Sequence, residues 1–497
     1  MHYDAVIIGG GLAGLAAAYS FMETLKEEGA HTSPLRLAIL EKDARFGGKV
    51  WTHRKDGIII ERGPDSFLAR KTAMIKLIRQ LGLIDRLVPT GPEGRGAYIL
   101  FQGRLHTIPE GMSTGIPTRL IPLVKTQLLS WPGKMRALGD LILPRGSEQD
   151  EALGAFLSRR FGREVKERIA EPLLAGIYAG DTDALSIMAT FPQFKDLEKR
   201  YRSLLLAMFQ SRRASRRVKS STPAQGASPD QALPAHLRGS TFLSLEGGLS
   251  TVIEALYETL ESSGVDLFSG RGARRLMREN DHYIIYDDEG HSIMTRSVLL
   301  AVPAFAADAL LNDSALTPYF QATTYASVVN VVFCYDDEPE PKPLPGSGFV
   351  VSRGEGTLMR AATWTSRKWP HTTPNGKFLV RLYAGGINAK EATEIADVAL
   401  VQRLEEELKG VVGTWPAPQG VLPTRWERAM PQYAVGHLER TKQLRDVLAR
   451  NYPGLFLAGS AYDGVGLPDV LKSGAEAAQV ITAYLKNVKK QEKNSLH

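Results

Sequence analysis

Cysteine is nearly absent from these 497 residues: Cys334 stands alone, so no disulfide can form within the chain and a reducing compartment suits it. It falls in Val328 to Tyr335, which reads as a buried strand, with the thiol as inert core. Long apolar runs are missing too. No stretch of about 18 apolar residues occurs, so no membrane-spanning helix is expected. A basic leader is missing: Asp4 stands near the start and the apolar residues after it form a strand, so a cytoplasmic location is expected. No histidine or cysteine cluster has metal-ligand spacing, and no metal is expected. Basic runs interleaved with aromatics are missing, so the net charge of +7 makes no case for nucleic acid. An anionic substrate or a membrane surface fits that charge. The one basic cluster, Arg212 to Lys219, lies in a polar stretch (212–238) that reads as a mobile loop.

What is present begins at once. An apolar strand, Ala5 to Ile8, runs into Gly9-Gly10-Gly11-Leu12-Ala13-Gly14 and then into an alanine-rich helix. This is the strand, tight turn and helix start that a dinucleotide requires. Gly9 allows the turn, Gly11 lets backbone approach a pyrophosphate, Gly14 lets helix and strand pack closely, and the helix N-terminus faces the phosphate charge. A second apolar strand, Leu35 to Leu40, ends on Glu41, the acid expected on the ribose hydroxyls. It comes later than the usual ~20 residues after the glycines, the polar loop Lys26 to Pro34 absorbing the difference.

After Glu41 and Lys42 comes Arg45-Phe46-Gly47-Gly48-Lys49. This second glycine pair resembles the R-x-G-G signature of the glutathione-reductase-like FAD enzymes, which include amine oxidases and porphyrinogen oxidases. FAD is therefore the expected cofactor. A second block, a helix after Gly247-Gly248 and strands at Ala273 to Leu276, Tyr283 to Tyr286 and Ser297 to Val302, resembles the same superfamily, which implies that the Ala273 backbone faces the adenine. A third block runs from Gly454 through Gly459 and Val465-Gly466-Leu467 into a helix from about Leu471 to Tyr484. The resemblance implies that these amides and the helix N-terminus face the flavin pyrimidine ring. A second nucleotide turn for NADPH is the rival reading; the glycines lack G-x-G-x-x-G spacing and no βαβ unit follows, so oxygen is the expected electron acceptor.

The length points to two or three domains. The expected fold is α/β in class (α+β multidomain): a Rossmann-like FAD-binding domain from 1–50, 237–303 and 425–487, and a discontinuous substrate domain with an antiparallel sheet from 51–88, 190–236 and 304–424. Residues 89–189 form a helical insert and 488–497 a polar tail. Within the insert, Ser147 to Asp150 begins an amphipathic helix carrying Leu153, Phe156, Leu157 and Phe161. The segment Leu120 to Leu143 mixes apolar residues and Trp131 with Lys125, Lys134 and Arg136. It reads as a membrane-surface element or as a lid over a cavity, and both stay open.

Four phrases narrow the resemblance: Ile60 to Phe67 (IERGPDSF), Glu171 to Asp181 (EPLLAGIYAGD), Phe191 to Phe194 (FPQF), and Thr424-Arg425-Trp426 with Met430 to Tyr433. With the FAD blocks they make the chain similar to the porphyrinogen oxidases of haem synthesis, in particular the bacterial coproporphyrinogen branch, from about residue 3 to 485. The resemblance implies oxidation of coproporphyrinogen III by removal of six hydrogens in three two-electron steps, each from a meso C–H held against flavin N5. It implies that Gly63-Pro64-Asp65-Ser66 runs beneath the flavin, that Trp426 packs beside it, and that Gly176 gives the macrocycle a backbone contact. Asp65 stands where mitochondrial protoporphyrinogen oxidases have arginine, so that arginine's carboxylate role does not carry over. Four propionates call for cations, and Lys71, just after Arg70, is the candidate; a solvated lysine is the competing reading. Protoporphyrinogen IX as substrate, an FAD amine oxidase and a non-enzymatic chaperone are the alternatives, and transient contact with other haem-pathway enzymes is a further expectation.

Overall fold

A computed structural model describes residues 1–27, 35–113, 116–117, 120–210, 233–373, 376–386 and 390–495. Most of the expected 212–238 loop lies outside them. The chain forms two compact units. One comprises 1–89, 227–323 and 439–497, the other 90–226 and 324–438.

The first unit is built on a seven-stranded sheet. His2–Ile8 runs parallel to Leu37–Leu40 on one side and to Ser292–Leu300 on the other, with Ile8 level with Leu40 and Leu300. Asp266–Phe268 and Leu455–Leu457 add parallel strands, and the hairpin Ala273–Glu279/His282–Asp287 adds antiparallel ones. Val6 to Ile8 and Leu37 to Leu40 are all buried, as unbroken apolar strands covered on both faces must be. The helices Leu12–Glu27, Ser250–Ser262 and Leu467–Ser495 contribute to the same core through Leu15, Leu256 and Ile481. So does Ala73–Gln80, whose Met74, Ile75, Leu77 and Ile78 form one buried face. Residues 51–88, assigned from sequence to the substrate segments, thus share the core of the nucleotide-type sheet.

The last helix is longer than expected. It starts at Leu467, because Pro468 is tolerated in a first turn, and it carries the 488–495 stretch that reads as a tail.

The second unit carries a seven-stranded sheet in the order Gly420–Gln432, Thr324–Tyr335, Phe378–Gly386, Met359–Trp364, Gly348–Val351, Tyr98–Phe101, Arg104–Thr107. It is antiparallel except for Gly348–Val351 beside Tyr98–Phe101. Alternation along Thr324–Tyr335 sends Val329, Val331, Phe333 and Tyr335 into a core shared with Leu400, Leu404 and Leu408 of the helix Asp397–Val412. Asn330 and Cys334 point to the other face. Cys334 is accordingly only partly buried, not core, although burial still pushes its thiol pKa up.

In the helical part of this unit the expected start at Ser147 to Asp150 shifts to Leu153. Asp150 is engaged elsewhere, accepting from Ser186 Oγ at 2.8 Å and from the Gly436 N–H at 2.9 Å. Arg160 and Asp140 are fully buried and paired, with Arg160 Nε donating to Asp140 Oδ1 at 2.6 Å. Ser203 Oγ and the Leu205 N–H donate to the second Asp140 oxygen, which completes the hydrogen bonding a buried charge demands.

Candidate functional site

The glycines of the first turn serve different ends. Gly9 has φ +108°, and a Cβ on it would lie 2.6 Å from the Ala301 carbonyl. A Cβ on Gly14 would lie 2.0 Å from the Gly9 carbonyl, and one on Gly10 would strike the Phe46 ring. These three are demanded by the fold itself. Gly11 is not: its φ is ordinary, and the nearest atom to its missing Cβ is Gly48 Cα at 3.9 Å. The glycine keeps an open cradle at the start of the helix Leu12–Glu27, where unsatisfied N–H groups favour an anion. Leu12 and Ala13 are buried in the first turn of that helix.

The R-x-G-G loop forms the other wall. Gly47 N–H donates to the Gly10 carbonyl at 2.8 Å, and Gly11 bridges to Gly47. Arg45 holds this loop in shape by donating to the carbonyls of Phe46, Gly48 and Val50, at 3.3, 2.6 and 3.2 Å. Its guanidinium lies over the Trp51 ring, as does that of Arg62. Arg45 therefore acts through the loop. Glu41 is buried, and its carboxylate accepts from Gly10 N–H at 2.7 Å and Asp43 N–H at 2.9 Å, which fixes it at the end of its strand. Burial pushes its pKa up. Lys42 is exposed, and its Cβ would lie 3.2 Å from a Cβ on Gly272, next to Ala273. The Arg271 N–H donates to the Glu41 carbonyl, which brings Ala273 to the acid's side of the sheet.

The C-terminal block closes on the same place. Gly459 has φ +109°, and a Cβ on it would sit 3.4 Å from Ala13 Cβ. Lys49 Nζ donates to Ser460 Oγ at 3.5 Å, joining the two loops. Burial alone lowers the Lys49 ammonium to about 8, so an anion that came to it would be welcome. The loop Gly464 to Leu467 leads into the last helix with Asp469 in its first turn. Gly63 to Ser66 enters the short strand Phe67–Leu68, and the Asp65 carbonyl is fixed by Ser244 Oγ at 2.8 Å. Three residues later Lys71 Nζ chelates Asp469, 2.7 Å from Oδ1 and 2.5 Å from Oδ2. Lys71 is thus ion-paired with its side chain 40% exposed, and a propionate would have to compete with Asp469 for it.

The two remaining sequence candidates lie in the other unit. Trp426 pairs with Val328 across the strand Gly420–Gln432. Gly176 lies on the exposed side of the helix Glu171–Tyr178, which follows a π-helical turn at Lys166–Ala170, and none of the described residues stands within 4 Å of its missing Cβ. Among the described residues, Glu171, Asp181 and Asp183 gather their oxygens closely. Lys166 binds Asp183 at 2.6 Å and Arg353 lies 3.3 Å from Asp181, so these acids are ion-paired within the protein. Sequence reasoning gave no role to Ser460 and Asp469, and named Gly47 only as part of the glycine pair. Only the doubled glycine at 47 and 48 carried a signal, because the other two are defined by partners far away in the chain.

A glycine cradle that a Cβ would fill, an acid at the end of the second strand and a half-buried lysine between the loops fit a flavin dinucleotide. The chain matches the family described as flavin containing amine oxidoreductase over residues 12–482, and it belongs to that family. It is 39% identical to the coproporphyrinogen III oxidase of Bacillus subtilis (strain 168), covering 97% of this chain and 98% of that one. It is 28% identical to the protoporphyrinogen oxidase of Homo sapiens, covering 96% of this chain and 98% of that one. A crystal structure of a protein from Exiguobacterium sp. 255-15 is 35% identical with a TM-score of 0.83, covering 96% of this chain and 98% of that one. The chain is thus a flavin-containing oxidoreductase.

Two outcomes are expected at this site. Gly11→Val has room in the free protein and should leave its melting temperature nearly unchanged while abolishing FAD retention, read as loss of the yellow absorbance. A large drop in melting temperature would show that Gly11 serves the fold instead. The second concerns pH. If bound FAD keeps Lys49 charged, FAD affinity should be flat below about pH 8 and fall above it, where the free protein loses that proton and the complex keeps it. Titration of FAD at several pH values should show this fall in the wild type and none in Lys49→Met.

Proposed function

We propose that the chain oxidises coproporphyrinogen III to coproporphyrin III with FAD and molecular oxygen, in haem synthesis. The reading is carried by near-full-length likeness to a coproporphyrinogen III oxidase at 39%, against 28% for a protoporphyrinogen oxidase. Bound FAD would supply the two-electron acceptor for a hydride leaving a meso carbon in each of the three steps, the remaining three hydrogens leaving as protons. The protein's own residues supply position and charge. Gly11 and the helix start after it receive the pyrophosphate, with Lys49 beside them, and Glu41 takes the ribose. Val465 to Leu467 and the first turn of the last helix face the flavin pyrimidine.

On the substrate side, Gly176 leaves a helical surface without a side chain, which suits a flat macrocycle. An interior helical glycine costs about 1 kcal/mol against alanine. Among the described residues no steric crowding accounts for it, since none stands within 4 Å of its Cβ position. A porphyrinogen gains conjugation as it loses hydrogen, so no acid–base pair is demanded and orientation of the C–H dominates. Protoporphyrinogen IX is the second reading, with two vinyl groups in place of two propionates. Steady-state assays by porphyrin fluorescence should give a higher kcat/KM for coproporphyrinogen III and about three peroxides per porphyrin. Preference for protoporphyrinogen would reverse the assignment, and turnover of amines alone would end it.

We further propose a cytoplasmic protein that touches membranes peripherally. No helix of the described residues is long and apolar enough to cross one. Ile121, Trp131, Met135 and Ile142 are 70, 70, 66 and 80% exposed, and Lys125 and Arg145 stand exposed among them. Lys134 lies over the Trp131 ring. Apolar tips with cations around them match an anionic lipid surface. Co-sedimentation with vesicles containing phosphatidylglycerol should be lost on Trp131→Ser with Ile142→Ser and weakened by salt. Equal sedimentation with neutral vesicles would remove the electrostatic part of the reading.

A further inference from the structure

The Lys71–Asp469 pair lies at an unusual place for a carboxylate. Asp469 is in the first turn of Leu467–Ser495, and its own N–H donates to the Gly466 carbonyl at 2.9 Å. Its side chain occupies the space that neighbouring glycines leave. A Cβ on Gly464 would stand 2.6 Å from Asp469 Cβ, and one on Gly466 would stand 3.0 Å from Asp469 Oδ2. Gly464 has φ +133°, so the backbone is shaped to pass over this acid. The carboxylate therefore packs against the Gly464 to Leu467 loop itself, and its side chain is 27% exposed. Lys71 reaches it from 398 positions away in sequence and binds both oxygens.

An acid in a first turn is favourable to the helix, whose positive end it faces. It is unfavourable to anything else there that becomes negative. Reduction adds negative charge to a flavin, and the loop amides and helix N-terminus would favour that charge. A bare carboxylate against the same loop would cancel much of their effect. Lys71 removes this conflict by making the acid half of a neutral pair.

We propose that Asp469 and Lys71 form a charge-compensated pair against the flavin-facing loop, and that Lys71, by neutralising Asp469, raises the reduction potential of the bound FAD. The inference rests on the cofactor placement given under Proposed function. Both are positioning residues: neither needs to touch substrate, and opposite substitutions must act in opposite directions.

The test is the two-electron midpoint potential of the purified FAD-loaded protein, measured by dye-coupled spectral titration. Lys71→Met should weaken binding of reduced relative to oxidised FAD about tenfold, a fall of about 30 mV. Asp469→Asn, which leaves Lys71 charged, should raise the potential. In the double variant, where neither charge remains, the potential should return to near the wild-type value, and Lys71→Arg should stay near the wild type. A double variant as low in potential as Lys71→Met alone would overturn the inference, because Asp469 would then carry no charge that the flavin-facing loop feels. Unchanged potentials with a raised KM for coproporphyrinogen alone would overturn it in favour of a propionate contact. If Lys71→Met does not fold, the rise in Asp469→Asn still decides. Failure of the wild type to take up FAD would instead sink the parent reading.

Discussion

The nucleotide-type unit depends on two backbones meeting without side chains between them. A Cβ on Gly474 would lie 2.2 Å from the Ala13 carbonyl, so the last helix can lie against the first only because residue 474 is glycine. Gly14 does the same between the first helix and its strand, with the Gly9 carbonyl 2.0 Å from where a Cβ would stand. Close approach at these points sets where Gly459 meets Ala13 and where Ser460 meets Lys49. The two ends of the chain therefore have to dock before any cradle exists. Leu455–Leu457, pairing parallel to Ser292–Leu300, carries the C-terminal block to that position. Parallel pairing across such distances in sequence is slow to form, which ties assembly of the site to a late step of folding.

How much of this was legible in the sequence follows the range of the interaction. The strand Ala5 to Ile8 and the glycine turn are local, and their pattern translated directly into His2–Ile8 and the start of Leu12–Glu27. The sheet strand was legible as an apolar run, Val328 to Phe333, in which Val329, Val331, Val332 and Phe333 are all buried. Element ends were less so. The last helix runs from Leu467 to Ser495 instead of from Leu471 to Tyr484, since neither the proline near its start nor the lysine-rich end breaks it. Side-chain partners were illegible. Nothing around Arg45 says that its donors turn back onto the carbonyls of its own loop, and nothing around Asp150 says that Ser186 and Gly436 claim it. Such choices are made by tertiary neighbours, which a single sequence does not display.

Glycine offers a sharper test than resemblance. Most glycines of the first turn and the C-terminal loop have either a positive φ or a backbone atom in the way, and each explains itself. Gly11 and Gly176 have neither. One stands at the start of the helix Leu12–Glu27, the other in the helix Glu171–Tyr178 of the second unit. Gly176, inside a helix that glycine weakens, is most simply accounted for by a partner outside the chain, and Gly11, at the N-cap, by the open space it keeps.

Charge points the same way. The chain has a surplus of cations, yet the large buried or stacked ones are already engaged: Arg160 with Asp140, Arg159 with Glu198, Arg425 with Asp397, and Lys71 with Asp469. Lys49 differs. Its recorded hydrogen bond is a long one to a serine, and burial is the sole cause of its lowered pKa. A lysine held in this way costs stability while it stays charged, a cost removed only by deprotonation or by an anion. Lys49 lies between the R-x-G-G loop and the C-terminal loop, beside the helix start that already favours negative charge, so a pyrophosphate answers both features at once. The same balance explains why Asp469 needs its own lysine. An acid left bare in this unit would compete with the cofactor for the positive field that the glycine turn, the helix ends and Lys49 together create.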